Sequence, residues 1–360
     1  MNSADSFSAD YPEARAKFLQ AATEAGGALE AMIHPERGPT GGELATDTAW
    51  FGPRDAPAVL VMISGTHGVE GFCGSGAQID WLRRGGAAGL PAGVAVLMIH
   101  AVNPYGFAWL RRVTHENVDL NRNWIDFAAP LPANPGYADL ADAICPAEWT
   151  PQAQAASFQV LGGFIAKNGM MAMQQAISGG QYSHPKGVFF GGAGPTWSRR
   201  TQTAIFDHYL NGAARIGIID YHTGLGPWGY GEQIITDLVG SPGYDRARRW
   251  YGAVVTSPSS GTSTSADIVG DGLAAAPVIL AHAEVTGMAL EVGTQETMTV
   301  LNALRADAWL HAYGDPMSEQ GRAIKTQIRD AFYGDADDWK GMVAGQSLLA
   351  VKQALAGLAG

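Results

Sequence analysis

Cysteine is nearly missing from this chain of 360 residues: only Cys73 and Cys145 occur, too few for a disulfide framework. Basic charge is also scarce, with 23 Lys and Arg against 34 Asp and Glu, a formal charge of -11 and no block of basic residues. A polyanion such as nucleic acid would be repelled rather than steered in, and is excluded as an expected partner. No apolar run approaches the ~20 residues needed to span a bilayer, so no membrane partner is expected either. The first residues, Met1-Asn-Ser-Ala-Asp-Ser-Phe-Ser8, offer neither a charged n-region nor an apolar h-region, and the reading is a cytoplasmic protein. Two catalytic signatures are absent as well, the Gly-x-Ser-x-Gly elbow of serine hydrolases and the His-Glu-x-x-His zinc helix. What is plentiful is glycine, at 47 residues, well above the usual ~7 %, which implies many tight turns and close backbone approaches.

The apolar runs that do occur are short. Pro57–Ser64, Val94–His100, Ile216–Tyr221 and Met288–Val292 are rich in branched residues and separated by helical patterns, the rhythm of a mostly parallel sheet covered on both faces. Ile234 and Ile235 suggest another strand, and Glu43–Phe51 reads as an edge or hairpin strand before the first central one. Residues 11–33 at the N-terminus, and 296–311, 316–333 and 338–358 in the tail, read as helices. Between Ala128 and Gly212 there are Pro, Gly and amphipathic stretches but no clear strand, an insertion over one end of the sheet. With no internal repeat and no long linker, the expectation is one domain over residues 1–360: a mixed, mostly parallel twisted α/β sheet sandwiched by helices, with a helical insertion at about 128–212. A core of this size buries roughly three quarters of the extended chain's surface.

In open α/β sheets ligands bind outside the carboxyl ends of the strands. His67, Asn103, His222 and Glu291 all fall at or just beyond such ends. In Gly65-Thr-His-Gly-Val-Glu-Gly71 an imidazole and a carboxylate three residues apart can grip one metal ion; catalytic zinc usually takes three protein ligands and leaves a position for water. His222, in Ile218-Ile-Asp-Tyr-His-Thr-Gly-Leu-Gly226, stands where the third ligand would sit, with a satisfied core histidine as the bland alternative. Asn121 and Arg122, in Val118-Asp-Leu-Asn-Arg-Asn-Trp124, bring amide and guanidinium donors side by side, a combination suited to a carboxylate. Asp119 would be the outer partner of a ligand histidine, or else a turn aspartate bonding its own backbone. Glu291 is a carboxylate inside an apolar strand, costly to bury unless a function or partner compensates.

Together with Asn103-Pro-Tyr-Gly-Phe107, these motifs resemble, in order, those of the zinc carboxypeptidase family of carboxypeptidase A-like metallopeptidases, and within it a poorly characterised bacterial subgroup. The resemblance covers about residues 56–296, apart from the insertion. It implies one zinc ion held by His67, Glu70 and His222, with Asp119 orienting His67. It implies that Asn121 and Arg122 bind the substrate's terminal carboxylate, that Glu291 is general base and acid, and that one of Arg111 and Arg112 stabilises the oxyanion. Arg112 is favoured, because Arg112-Val-Thr114 aligns more naturally with the family's Arg-x-Thr. The family's mobile-loop tyrosine is not evident: Val255-Thr-Ser257 holds none, and Tyr251 could substitute only in a reshaped loop. The insertion, including His184 and Trp197, could narrow the cleft.

The expected activity is zinc-dependent hydrolysis of an amide next to a free carboxylate in a small peptide. Two other readings stand beside it. One is an N-acyl amino acid deacylase like the aspartoacylase and succinylglutamate desuccinylase relatives. The other is a non-catalytic zinc or carboxylate-binding module, against which the retained Glu291 speaks.

Overall fold

The structure is a computed structural model and describes residues 2–360. In chain order the elements are α1 (Tyr11–Glu24), β1 (Ala28–Arg37), β2 (Glu43–Phe51), β3 (Ala58–Ile63), α2 (Gly71–Arg83), β4 (Val94–His100) and α3 (Pro104–Ala108). Four helices follow in the first part of the predicted insertion, α4 (Pro135–Ala138), α5 (Ala141–Ile144), α6 (Pro151–Asn168) and α7 (Met170–Ser178); the helix named next also falls within its bounds, but packs on a face of the sheet. Then come α8 (Trp197–Leu210), β5 (Arg215–Thr223), β6 (Gly231–Ile234), α9 (Pro242–Tyr251), β7 (Val255–Thr256), α10 (Gly272–Ile279) and β8 (Glu284–Val292). Three helices complete the chain, α11 (Thr297–Tyr313), α12 (Glu319–Phe332) and α13 (Asp337–Ala359).

One eight-stranded sheet runs in the order β1-β2-β4-β3-β5-β8-β6-β7. Its centre, β4-β3-β5-β8, is parallel; β2 joins antiparallel to β4, and β6 antiparallel to β8. Period-two alternation divides the apolar strand residues between two cores. Leu60, Met62, Val96, Met98, Ile219 and Leu290 face α1, α2 and α13, whose Phe18, Phe72, Trp339 and Val351 join the same cluster. Val59, Val61, Ala95, Leu97, Ile216 and Ile218 face α8 and α10 through Ile205, Phe206, Leu210 and Leu273. A third cluster packs α4–α7 against α11 and α12.

The α/β class expected from the apolar runs is observed. The N-terminal helix is shorter than expected: it stops at Glu24, and residues 28–33, read above as helical, belong to β1. Gly26 at φ 77° turns the chain out of the helix, and a Cβ on Gly27 would lie 2.8 Å from the Phe51 ring, so only a bare backbone passes there. The segment then gains β2 as a partner, which makes β1 the sheet edge and β2 the inner arm of a hairpin. Helix α13 is long and apolar enough by composition to cross a membrane, but Trp339, Val343, Val351 and Leu358 are buried against the sheet and α2.

Candidate metal centre

The carboxyl end of β3 lies between β4, reached through α2, and β5, reached through the insertion, and this divergence opens a crevice. His67 and Glu70 leave β3 on a tight turn whose shape depends on missing side chains. A Cβ on Gly68 would lie 2.0 Å from the backbone of Gly106, and Gly65 adopts φ 67°. The Asn103-Pro-Tyr-Gly-Phe107 motif therefore buttresses this turn. Asn103 N donates to Gly65 O at 2.8 Å, Val69 N to Arg111 O at 2.8 Å, and the Phe107 ring packs edge-on against Phe72.

His222, at the end of β5, closes on the pair. His67 Nδ1 lies 3.0 Å from Glu70 Oε1, and His222 Nδ1 lies 3.0 Å from Glu70 Oε2 and 3.1 Å from His67 Nδ1. The ligand atoms of His67, Glu70 and His222 all fall within 4.8 Å of one another, and all three residues are buried. Two imidazole nitrogens and a carboxylate sharing so small a space is the donor chemistry of a divalent metal such as zinc. The opposite ring nitrogens fit this too, since each faces a carboxylate: His67 Nε2 is 3.1 Å from Asp119 Oδ1, and His222 Nε2 is 3.1 Å from Asp220 Oδ2. The second contact has a salt-bridge distance without hydrogen-bond alignment. Burial disfavours charge on His222, yet Asp220 and Glu70 hold its pKa well above the ordinary histidine value, so the pocket favours positive charge.

Asp119 accepts from three directions: His67, Arg112 Nε at 2.9 Å and Asn121 N at 2.9 Å. Arg112 also donates through Nη1 to Glu70 Oε1 at 2.7 Å. Burial alone would raise both carboxyls, but Arg112 and His67 hold Asp119 and Glu70 well below the usual carboxylate range. Arg111 takes no part; it turns away to Asp307 Oδ2 at 3.0 Å and Asn117 Oδ1 at 2.8 Å, leaving Arg112 as the arginine of the cleft.

Glu291 stands in register with His222 on the neighbouring strand and accepts from Leu225 N at 3.0 Å. Burial and the adjacent Glu70 push its carboxyl up to about 8, against His222 and Arg112. Asn121 and Arg122 line the same cleft, whose volume is about 990 Å³. Arg122 is held from behind, with Nε and Nη2 donating to Ser178 O and its Cζ 5.4 Å from the Phe189 ring.

All eight expected site residues thus border or support one cleft. Four supporting residues escaped the sequence reading: Thr66, Asp220, Ser178 and Phe189. Thr66 Oγ1 donates to Asp220 at 2.9 and 3.0 Å. Asp220 carried a readable signal, a carboxylate in an apolar strand on the same face as His222. Ser178 and Phe189 carried none, since the insertion alone brings them here. Tyr251 is buried in the core and does not border the cleft, so it cannot replace the mobile-loop tyrosine, and no tyrosine lines the cleft among the described residues. His184 and Trp197 do not line it either: His184 rests on Tyr137 and Trp197 on His34, and α7 and Phe189 supply the insertion's wall instead.

No curated protein sequence matches the chain. Among solved structures it is similar to carboxypeptidase A from Helicoverpa armigera, at 12 % identity over 91 % of this chain and 75 % of that one, with TM-score 0.47. It is also similar to bovine thrombin-activatable fibrinolysis inhibitor, solved with a tick carboxypeptidase inhibitor, at 10 % identity, 99 % and 98 % coverage and TM-score 0.49. A third is an aspartoacylase family protein from Mesorhizobium loti, at 12 % identity, 80 % and 67 % coverage and TM-score 0.36. A family profile described as "Protein of unknown function (DUF2817)" matches residues 7–346, and the chain belongs to that family.

Proposed function

We propose that this protein is a zinc-dependent hydrolase that cleaves an amide next to a free carboxylate, most simply a metallocarboxypeptidase acting on small peptides. The observation that carries the reading is the convergence of His67, Glu70 and His222, each histidine backed by a carboxylate, opposite the buried Glu291. His67, Glu70 and His222 would hold the ion. Bound there, zinc supplies a Lewis acid for the amide carbonyl and lowers the pKa of its water towards ~7.

The protein groups divide the remaining work. Asn121 and Arg122 bind the substrate carboxylate, which orients the scissile bond. Glu291 accepts a proton from the attacking water and returns it to the leaving amine; a carboxyl with a raised pKa suits a group that must do both. Arg112 donates to the developing oxyanion, where one such donor is typically worth about 3–4 kcal/mol.

An N-acyl amino acid deacylase is the second reading, favoured by a cleft in which, among the described residues, no tyrosine takes part in the lining. A panel of zinc-loaded assays with short peptides against N-acyl amino acids separates the two. Stoichiometric zinc with no release from either class would sink both and leave a binding module.

A further inference from the structure

A second buried carboxylate stands beside Glu291 and takes no part in the chemistry described above. Glu232 of β6 pairs with Glu291 of β8 across the antiparallel edge of the sheet, so both side chains leave the same face. Glu232 is only 3 % exposed and does not border the cleft. Three donors converge on it: Thr256 Oγ1 at 2.5 Å, Thr264 N at 3.1 Å from Oε1 and 3.3 Å from Oε2, and Thr264 Oγ1. A carboxylate is costly to bury alone, and here two threonines compensate it.

Those threonines bracket a loop. Ser257 N donates to Thr262 Oγ1 at 3.0 Å, Ser260 Oγ donates to Ser257 O at 3.0 Å and Gly261 turns at φ 67°, so residues 257–263 form a compact ring whose neck is closed by one carboxylate. Beyond the neck, Thr264, Ser265, Ala266, Asp267 and Ile268 line the cleft. That run is fastened to the side that holds Arg122. Gln175 Nε2 of α7 donates to Asp267 O at 3.3 Å, Trp124 N donates to Gly270 O at 3.1 Å, and a Cβ on Gly270 would lie 2.6 Å from the Arg122 backbone. The wall is therefore held at two ends, by Glu232 at the sheet edge and by the Arg122 segment. This is also the stretch without the expected mobile-loop tyrosine, since Val255-Thr-Ser257 leads straight into the closed ring.

We propose that Glu232 is a positioning residue: it latches residues 264–268 as a fixed wall beside Arg122, so that a substrate carboxylate meets a pocket already shaped. The role in turnover rests on the hydrolase reading above, whereas the latch itself does not. A loop ordered in advance spares the ligand that cost, and the saving appears as affinity. Glu232 neither lines the cleft nor belongs to the three ligand residues, so its influence on ligand binding travels through the loop. An influence passed through its neighbour Glu291 would appear in kcat instead.

Glutamine at this position turns an amide donor towards the threonine donors. Glu232→Gln should therefore speed backbone hydrogen exchange across residues 257–268 and raise KM about tenfold, with kcat within about twofold and zinc binding retained. Thr264→Val removes one donor and should act the same way, while Thr264→Ser keeps the hydroxyl and should retain the parent's KM. N-acetylalanine titrated calorimetrically into zinc-loaded Glu291→Gln, with and without Glu232→Gln, should show a loss in Kd of about the same size without turnover. That loss in a protein whose parent hydrolyses nothing keeps the latch and sinks the hydrolase reading. Unchanged loop exchange in Glu232→Gln overturns the latch. Faster exchange with KM and Kd unchanged, or a fall in kcat at constant KM, overturns the positioning role. Should Glu232→Gln fail to fold, Thr264→Val against Thr264→Ser decides by the same readings.

Discussion

Asp220 Oδ2 lies 3.1 Å from His222 Nε2, on the side of the ring away from Glu70, as Asp119 Oδ1 lies 3.1 Å from His67 Nε2, although only the Asp119 contact is aligned as a hydrogen bond. Such partners fix the ring and raise its basicity, and losing one typically lowers metal affinity 10–100-fold. Asp220→Asn should weaken zinc binding by about that factor in a chelator competition, with a melting midpoint in EDTA close to that of the parent; unchanged affinity would remove the role. Glu291 asks a different question, because it borders the site without joining the three ligand residues. Glu291→Gln should still bind one zinc while turnover falls by about 10²–10⁴-fold, the usual contribution of general acid–base catalysis. An active Glu291→Gln protein would transfer the base to another group.

Among the elements, the turn after β3 is the one that tolerates least. Gly68 faces the Gly106 backbone across a gap that no Cβ can enter, and Gly68→Ala must separate the metal turn from the Asn103–Phe107 motif. Overpacking costs typically about 1–3 kcal/mol. Urea unfolding should show a loss in this range together with weaker zinc binding; a loss of stability with metal affinity intact would separate turn shape from ligand placement. Helices α11 and α12 are tied to the same region by a buried ion cluster. Asp307 accepts from Arg111 Nε at 3.0 Å and from Lys325 Nζ at 2.5 Å. Burial would raise the Asp307 carboxyl, but Lys325 and Arg111 hold it well below its ordinary range, while burial pulls Lys325 down to about 8. Asp307→Asn leaves two buried cations short of a counter-charge and should cost about 3–5 kcal/mol by chemical denaturation.

At the scale of the molecule, His100 makes the central sheet acid-sensitive. It is wholly buried, hydrogen-bonded to Ser75 Oγ at 2.8 Å and stacked 4.4 Å from the Phe18 ring, and burial lowers its pKa to about 3 from 6.5. Between those values the unfolded chain takes up a proton that the folded chain refuses, so stability is full above about pH 6.5 and falls as the pH drops towards 3. The loss from this one group is about 3 kcal/mol at pH 4.5. His100→Gln should flatten the acid limb of the urea midpoint against pH; an identical limb would assign acid lability to other groups.

The sequence by itself determined the alternating apolar strands, the order of the chemistry-bearing motifs and the strand ends at which they sit, because each is encoded within a few neighbouring residues. Glu291 was legible for the same reason, a charge where the strand pattern demands an apolar side chain, and Asp220 carried that signal unread. Tertiary structure alone decided the rest. Residues 28–33 became a strand because Gly26 and Gly27 release the helix beside Phe51 and β2 offers a partner. Arg112 rather than Arg111 entered the cleft because Asp307, almost two hundred positions away, claims its neighbour. Ser178 and Phe189 reached Arg122 only through the packing of the insertion against α11 and α12, a contact between distant segments that no local pattern announces.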